Sequence, residues 1–224
     1  MRELTIIYQH QDWWLCHKPA GIGFHDEGAE LGFISLLRNQ LDCPVWPVHR
    51  LDKLTSGLIL VAKSKSSCSK LCQLFSDRDI EKYYLAIAPA RMKKKQGKIS
   101  GDMAKSRRGS YKLLKSLENP AITQFFSSAI GRGLRLCLLK PKTGKTHQLR
   151  VALKSLGAAI IGDALYTGSK GERMYLHAYA IRFTYEQTRY EFVSPPDEGA
   201  LFATSEVTQQ VSAWSQPWLL NWPT

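Results

Sequence analysis

Val48-His49-Arg50-Leu51-Asp52-Lys53-Leu54-Thr55-Ser56-Gly57-Leu58-Ile59-Leu60-Val61-Ala62 is the densest stretch of this chain. Its second half, Leu58 to Ala62, is a continuous apolar run, consistent with a strand buried on both faces. Its first half sets one acid, Asp52, between Arg50 and Lys53. A loop at the end of a central strand is rigidly supported and still reaches the surface. Nearby cations favour the ionised carboxylate. Such a carboxylate can act as a nucleophile toward a sugar carbon or as a base. A lone Asp between cations reads first as an ordinary structural pair, so the rest of the chain decides.

Working outward, residues 4–8 and 13–16 read as short strands around His10-Gln11-Asp12, and Lys18-Pro19-Ala20-Gly21 as a turn. Leu31, Ile34, Leu37 and Leu41 approximate a helical stripe. Cys68, Leu71, Cys72 and Phe75 fall at i, i+3, i+4 and i+7 of a second helix. Tyr83 to Ala88 reads as a strand. Alternating Leu134, Leu136 and Leu138 predict a half-buried strand over 133–140. Leu149, Ala152, Leu153 and Leu156 predict a helix ending at Gly157, a natural C′ glycine. Further strands are expected at 158–161 and 176–184, and Val207, Val211 and Trp214 suggest a last helix. Strict βαβ alternation is absent, so the class is α+β. Trp214, Trp218 and Trp222 are expected to pack on the domain's own surface.

The chain has 224 residues, 44% hydrophobic and 22% charged, as in a soluble globular protein of one large domain or two lobes. No apolar run approaches the roughly 20 residues of a membrane span, and the N-terminus lacks a secretory signal. A cytoplasmic protein without membrane contact is expected. The five cysteines read as reduced, mostly buried thiols, and the six histidines show no zinc spacing. The net charge of +12 points to a polyanionic partner, most simply nucleic acid. Most of that excess lies in residues 91–115, where ten Lys and Arg face a single acid, Asp102. This segment is expected to be an exposed, mobile basic insertion.

Thr143-Gly144-Lys145-Thr146 looks like the end of a phosphate loop, but the glycine required five positions before Gly144 is Leu139. A nucleotide triphosphatase is thereby excluded. What survives is a turn at a helix start, with free N–H groups able to meet one phosphate. In the helix that follows, His147, Arg150 and Lys154 share a polar face, readable as a solvated basic face. Arg150 is the member suited to hold a carboxylate or phosphate bidentately.

His49-Arg50-Leu51-Asp52-Lys53-Leu54-Thr55-Ser56-Gly57 resembles the central motif of the RluA-type pseudouridine synthases, H-R-L-D-x-x-T-S-G. Lys18-Pro19-Ala20-Gly21 resembles the family's K-P-x-G. Lys82-Tyr83-Tyr84-Leu85-Ala86 resembles K-x-Y-x-A, which aligns Tyr84, not Tyr83, with the family tyrosine. Thr143-Gly144-Lys145-Thr146-His147-Gln148-Leu149-Arg150, followed by Gly162-Asp163-Ala164-Leu165-Tyr166, resembles T-G-R-x-H-Q-[IL]-R and G-D-x-x-Y. Ala121-Ile122-Thr123 and Leu176-His177-Ala178 match smaller blocks. These collinear segments span about residues 5–196. Lys145 stands where the family usually has Arg, and Ala152 where it often has His.

The resemblance implies one catalytic domain over 1–224 with the basic insertion at about 91–115, and no separate N-terminal RNA-binding domain. Its fold would be a mixed, mainly antiparallel sheet in two lobes with a central active-site cleft. Its reaction converts uridine in ribosomal or transfer RNA to pseudouridine, breaking C1′–N1 and joining C1′ to C5, without cofactor or metal. Asp52 would be the catalytic carboxylate, attacking C1′ or removing a ribose proton. Tyr84 would stack under the base, Arg150 would pair with Asp52 and hold it ionised, and Arg50 would enter the RNA stack. Base flipping of this kind costs a few kcal/mol, which a filling side chain and aromatic stacking offset. The basic insertion would supply part of the RNA grip. A monomer is the working expectation. The alternatives are a non-catalytic RNA-binding or ribosome-assembly protein of the same fold, and a nucleoside glycosidase. The glycosidase would need a second carboxylate that these motifs lack.

Overall fold

Strands β1 (Thr5–Gln9) and β2 (Trp13–Lys18) pair antiparallel as expected, in a computed structural model that describes residues 3–224. Helix α1 (Phe33–Leu41) and the short strand β3 (Trp46–Pro47) lead into β4 (Ser56–Ala62). All seven residues of β4 are buried, as the apolar run predicts. β2 lies antiparallel to β4, with Cys16 opposite Ile59 and Lys18 opposite Gly57. Helix α2 (Lys65–Ser76) follows, opened by a reciprocal cap between Ser64 and Ser67. Leu31 falls outside α1 and is exposed. The helix begins later because the Asp26 carboxylate accepts from the Gly32 N–H at 2.7 Å and from the Ser35 hydroxyl at 3.0 Å.

These elements, with Phe183–Tyr190, make one compact unit; Glu81–Arg182 and Glu191–Thr224 make a second. The returning segment is tied to the first unit by aromatic contacts. Phe183 and Tyr190 meet the fully buried Trp13 edge-on, with centroids 5.4 and 5.1 Å away.

The second unit contains β5 (Glu81–Pro89), β6 (Gly97–Gly101), β7 (Met103–Lys105), β8 (Tyr111–Leu113), β9 (Ala121–Ala129) and β10 (Leu134–Pro141). Helix α3 (Gln148–Ser155), strands β11 (Leu176–Tyr185) and β12 (Thr188–Val193), whose facing ends Phe183–Tyr185 and Thr188–Tyr190 belong to the first unit, and helix α4 (Ser205–Ala213) follow. The strand order is β11-β5-β10-β9-β6. With four helices among the described residues, the fold is α+β with a mixed, mostly antiparallel sheet. None of those helices is long and apolar enough to cross a membrane.

Three expectations change here. β10 is buried on both faces from Leu136 onward, not half-buried. Its alternating leucines are interleaved with Cys137 and Leu139, which the opposite cover also buries. Residues 158–161 form no strand, although Ile161 donates to the Ile87 carbonyl at 2.9 Å and accepts from Tyr175 at 2.9 Å. The segment 91–115 is not a structureless insertion. β6 pairs with β9, and β7 with β8. Ile99 is a core residue, and Met103, Tyr111 and Leu113 pack against Val151, Ala159 and Tyr166. Lysines and arginines between these apolar positions mask the strand pattern in sequence.

The cysteines are free thiols, and only Cys16 and Cys137 are buried; Cys43, Cys68 and Cys72 are half-buried. Burial pushes the thiols of Cys16 and Cys137 up to about 12, so both stay neutral and unreactive. The C-terminal tryptophans do pack on their own unit. Trp214 is buried in its core, and Trp222 sits 5.0 Å from Phe126 and 5.7 Å from Tyr83.

α3 ends in a Schellman arrangement: Gly157 donates to the Lys154 carbonyl and Ala158 to that of Leu153, with Gly157 at φ 77°. Gly162 is the more demanding glycine. It has φ 80°, and a Cβ there would run into the carbonyl of Arg173. Gly162→Ala is therefore expected to destabilise the protein by roughly 2–4 kcal/mol, from backbone strain and the displaced carbonyl. Urea unfolding followed by tryptophan fluorescence checks this; a shift below about 1 kcal/mol would contradict it.

Candidate active site

The loop ahead of β4 is held from below by a lysine. Lys18 is fully buried, and its ammonium donates to the carbonyls of Pro19 (2.9 Å), Lys53 (3.1 Å) and Thr55 (3.0 Å). The Gly21 N–H also donates to the Lys53 carbonyl, at 2.9 Å. A turn from the Thr55 N–H to the Asp52 carbonyl (3.0 Å) closes the loop. His49 anchors its other end: Nε2 accepts from the Leu60 N–H at 2.9 Å, and the ring stacks on Phe75 of α2. Leu51 is buried beneath the loop. Asp52 is half-buried and Arg50 exposed. Lys53 was expected as a cation beside Asp52, but its ammonium donates to Glu27 (2.8 Å) and Glu30 (3.2 Å).

A second set of anchors lies around α3. Gln148, buried at its first turn, accepts through Oε1 from the Thr143 hydroxyl (2.7 Å) and the Lys145 N–H (3.0 Å). Its Nε2 donates to the Ile122 carbonyl and to Thr123 Oγ1, both at 3.0 Å. The turn thus does not offer the Lys145 amide to a phosphate, as its sequence suggested; a side chain of the same motif occupies it. The Lys145 ammonium donates to the Asn119 carbonyl.

The polar face of α3 is not simply solvated. Arg150 is 6% exposed and makes a two-pronged pair with Asp163, itself fully buried. Nε donates to Oδ2 at 2.7 Å and one terminal nitrogen to Oδ1 at 2.8 Å. Such fork-to-fork pairs fix orientation as well as charge. The guanidinium carbon also lies 5.0 Å from the centroid of the Tyr166 ring. The Tyr166 hydroxyl in turn meets His147 Nδ1 at 3.0 Å and accepts from the Tyr111 N–H at 2.9 Å. Asp163 engages Arg150 without exhausting the five N–H donors of the guanidinium.

Tyr84 lies on β5, opposite Leu139 of β10 and Ala178 of β11, and is half-buried. Alternation puts Tyr83 on the other face. There it is fully buried; its hydroxyl donates to Glu81 at 2.6 Å and its ring lies beside Trp222. The alignment of Tyr84 with the family tyrosine is the one compatible with an accessible ring. Register carries the Tyr84 face through Leu139 and Phe125 to Thr123, which Gln148 of α3 bonds. Tyr84 and α3 therefore share one face of the sheet in the second unit, whereas Arg50 and Asp52 belong to the first.

Sequence reasoning left Lys18, His49, Gln148, Asp163 and Tyr166 without roles, although each lies inside a quoted motif. All five are polar residues turned inward. Among the described residues, no group of three or more His, Cys, Asp or Glu is placed to hold a metal ion.

Comparison with known proteins identifies the family. Residues 12–155 match the family described as RNA pseudouridylate synthase. A Haemophilus influenzae protein named "Uncharacterized RNA pseudouridine synthase" is 44% identical over 221 residues, covering 97% of this chain and 99% of that one. A "tRNA pseudouridine synthase C" of Vibrio parahaemolyticus is 31% identical, covering 85% and 89%. The solved structure of "Human RNA Pseudouridylate Synthase Domain Containing 1" aligns with a TM-score of 0.77 at 25% identity, covering 96% and 95%. By that family match and these relatives, with its motif blocks in order, the chain belongs to the RluA-type RNA pseudouridine synthases, a family of isomerases.

Proposed function

We propose that the two units act as one catalytic domain that isomerises a flipped uridine in structured ribosomal or transfer RNA, with Asp52 as the reacting carboxylate. The carrying observation is the Lys18 anchor. A fully buried ammonium bonded to three carbonyls holds the loop of Asp52 in one shape. A catalytic group must be positioned to within a fraction of an ångström, and an anchored loop meets that demand. The net charge of +12 suits a polyanionic substrate, and the relative named for transfer RNA falls within this substrate class.

In this reading the uracil leaves the stack and rests on Tyr84, while Arg50 fills the vacated position. Asp52 attacks C1′ or removes a ribose proton, and the C1′–N1 bond breaks. The freed base turns and C1′ bonds to C5, as the Asp52–C1′ bond breaks on the first route or Asp52 returns the ribose proton on the second. The proton on C5 is then lost and N1 gains one, so no atom is added or removed overall. Arg150 pairs with and orients Asp52. Asp163 is a positioning residue that acts through Arg150, and Tyr166 supports the same guanidinium. A glycosidase would hold a second carboxylate for water activation near Asp52; the nearby Glu27 and Glu30 are instead engaged by Lys53.

Asp52→Asn is expected to abolish pseudouridine formation in ribosomal and transfer RNA of cells carrying only this variant, while RNA affinity stays within a few-fold. A pseudouridine map with more than a few percent residual signal at the target would remove Asp52 from its role. Tyr84→Phe should retain RNA binding and slow turnover; a wild-type rate would show that the hydroxyl takes no part. Asp163→Asn leaves a buried guanidinium with half of its fork weakened. A loss of about 3–5 kcal/mol is the upper range for breaking a buried pair. In the fraction that remains folded, kcat should fall more than tenfold with KM nearly unchanged. Equal loss of folded protein and activity would reduce Asp163 to a purely structural part.

A further inference from the structure

We infer that the β7–β8 hairpin and α3 enclose a second nucleotide subsite, which takes an unpaired base of the substrate RNA outside the reacting position. The inference rests on the reading of the chain as an RNA-acting enzyme and assigns a partner surface to its basic segment.

The observation is a cavity of about 360 Å³. Its walls are Tyr111 and Leu113 of the hairpin, Val151 of α3, and Leu165 and Tyr166. Lys112 and Lys154 also line it, the Lys154 ammonium donating to the Thr167 hydroxyl, together with Ser110 and Ser155. A flat ring with polar edges and a phosphate on either side fits this division. A neutral apolar ligand would leave the lysines unexplained, and a free anion would leave the apolar walls unexplained. A volume of this size falls within the range of small-molecule pockets.

The subsite is built rather than accidental. Tyr166 accepts from the Tyr111 N–H at 2.9 Å, which pins the hairpin to the turn after α3. At the hairpin tip, Ser110 donates to the Arg107 carbonyl through both its N–H (3.1 Å) and its hydroxyl (2.7 Å). That turn exposes Arg107 and Arg108, the latter at φ 54°. Lys105, Arg107, Arg108 and Lys112 give the hairpin four cations and no acid. Such a surface draws a phosphate backbone along it. Tyr166 is also the ring beside Arg150, so one side chain forms both a wall of the cavity and part of the Arg150 support.

The test uses the full chain and a short fluorescent oligouridine carrying a single 4-thiouridine. Photocrosslinking is expected to label a peptide containing Tyr111–Leu113 or Leu165–Tyr166. The double variant Lys112→Ala/Lys154→Ala should weaken oligouridine binding about tenfold and reduce the salt slope by about 1.4, the value for two lost single-strand phosphate contacts. Ser155→Tyr, which fills the cavity, should weaken binding at an unchanged salt slope. Should that variant fail to fold, the lysine pair and the crosslink decide. Crosslinks confined to other peptides, or a lysine variant that binds as wild type, would overturn the subsite. Asp52→Asn protein should give the same crosslink. Full turnover by Asp52→Asn together with that crosslink would sink the catalytic reading and leave the subsite standing. Loss of turnover without the crosslink would do the reverse.

Discussion

A cation without water is the constraint on which the first unit depends. The Lys18 ammonium is removed from solvent, and an isolated charge in that position would cost several kcal/mol. Three carbonyls converging on it offset that penalty, two of them from the loop ahead of β4. The convergence exists only if residues 53–55 take one conformation. Lys18 can reach them because β2 pairs with β4 so that Lys18 stands opposite Gly57. A strand register thus becomes a loop shape, and the loop shape becomes the position of Asp52 and Arg50. His49 and Leu51, turned inward from the same loop, reinforce it.

The second unit uses the same device with amide and carboxylate groups. Gln148 fills four hydrogen-bonding roles at the start of α3, which sets the helix relative to β9. Asp163, held in place by the tight passage at Gly162, grips Arg150 two residues further along. The motif residues therefore divide by direction. Lys18, His49, Gln148 and Asp163 face inward and hold the frame. Arg50 is exposed, while Asp52 and Tyr84 are half-buried.

The basic segment shows how charge can obscure structure. Ten cations in residues 91–115 read as a solvated excursion. Yet Ile99 enters the core, and Met103, Tyr111 and Leu113 pack beside α3. The long side chains of lysine and arginine tolerate strand positions whose other face is apolar. The outcome is a paired hairpin whose cations are exposed.

From the sequence alone came the strong periodic elements: β4 from its apolar run, α2 and α4 from their stripes, β5 from Tyr83 to Ala88, and the end of α3 at Gly157. The motif blocks, through their order, also yielded the family, and their resemblance is what singles out Arg50, Asp52, Tyr84 and Arg150 for the proposed reaction. These were legible because side-chain period and residue identity are local properties. Tertiary structure alone decided that β10 is covered on both faces, that 158–161 stays outside the sheet, that Lys53 turns to Glu27 and Glu30, and that Arg150 is gripped by Asp163. It also decided that Tyr83 is buried while Tyr84 is the more accessible ring. The physical reason is shared. Burial on a second face and the choice of a hydrogen-bond partner depend on what packs from distant parts of the chain, and no spacing within a segment encodes that.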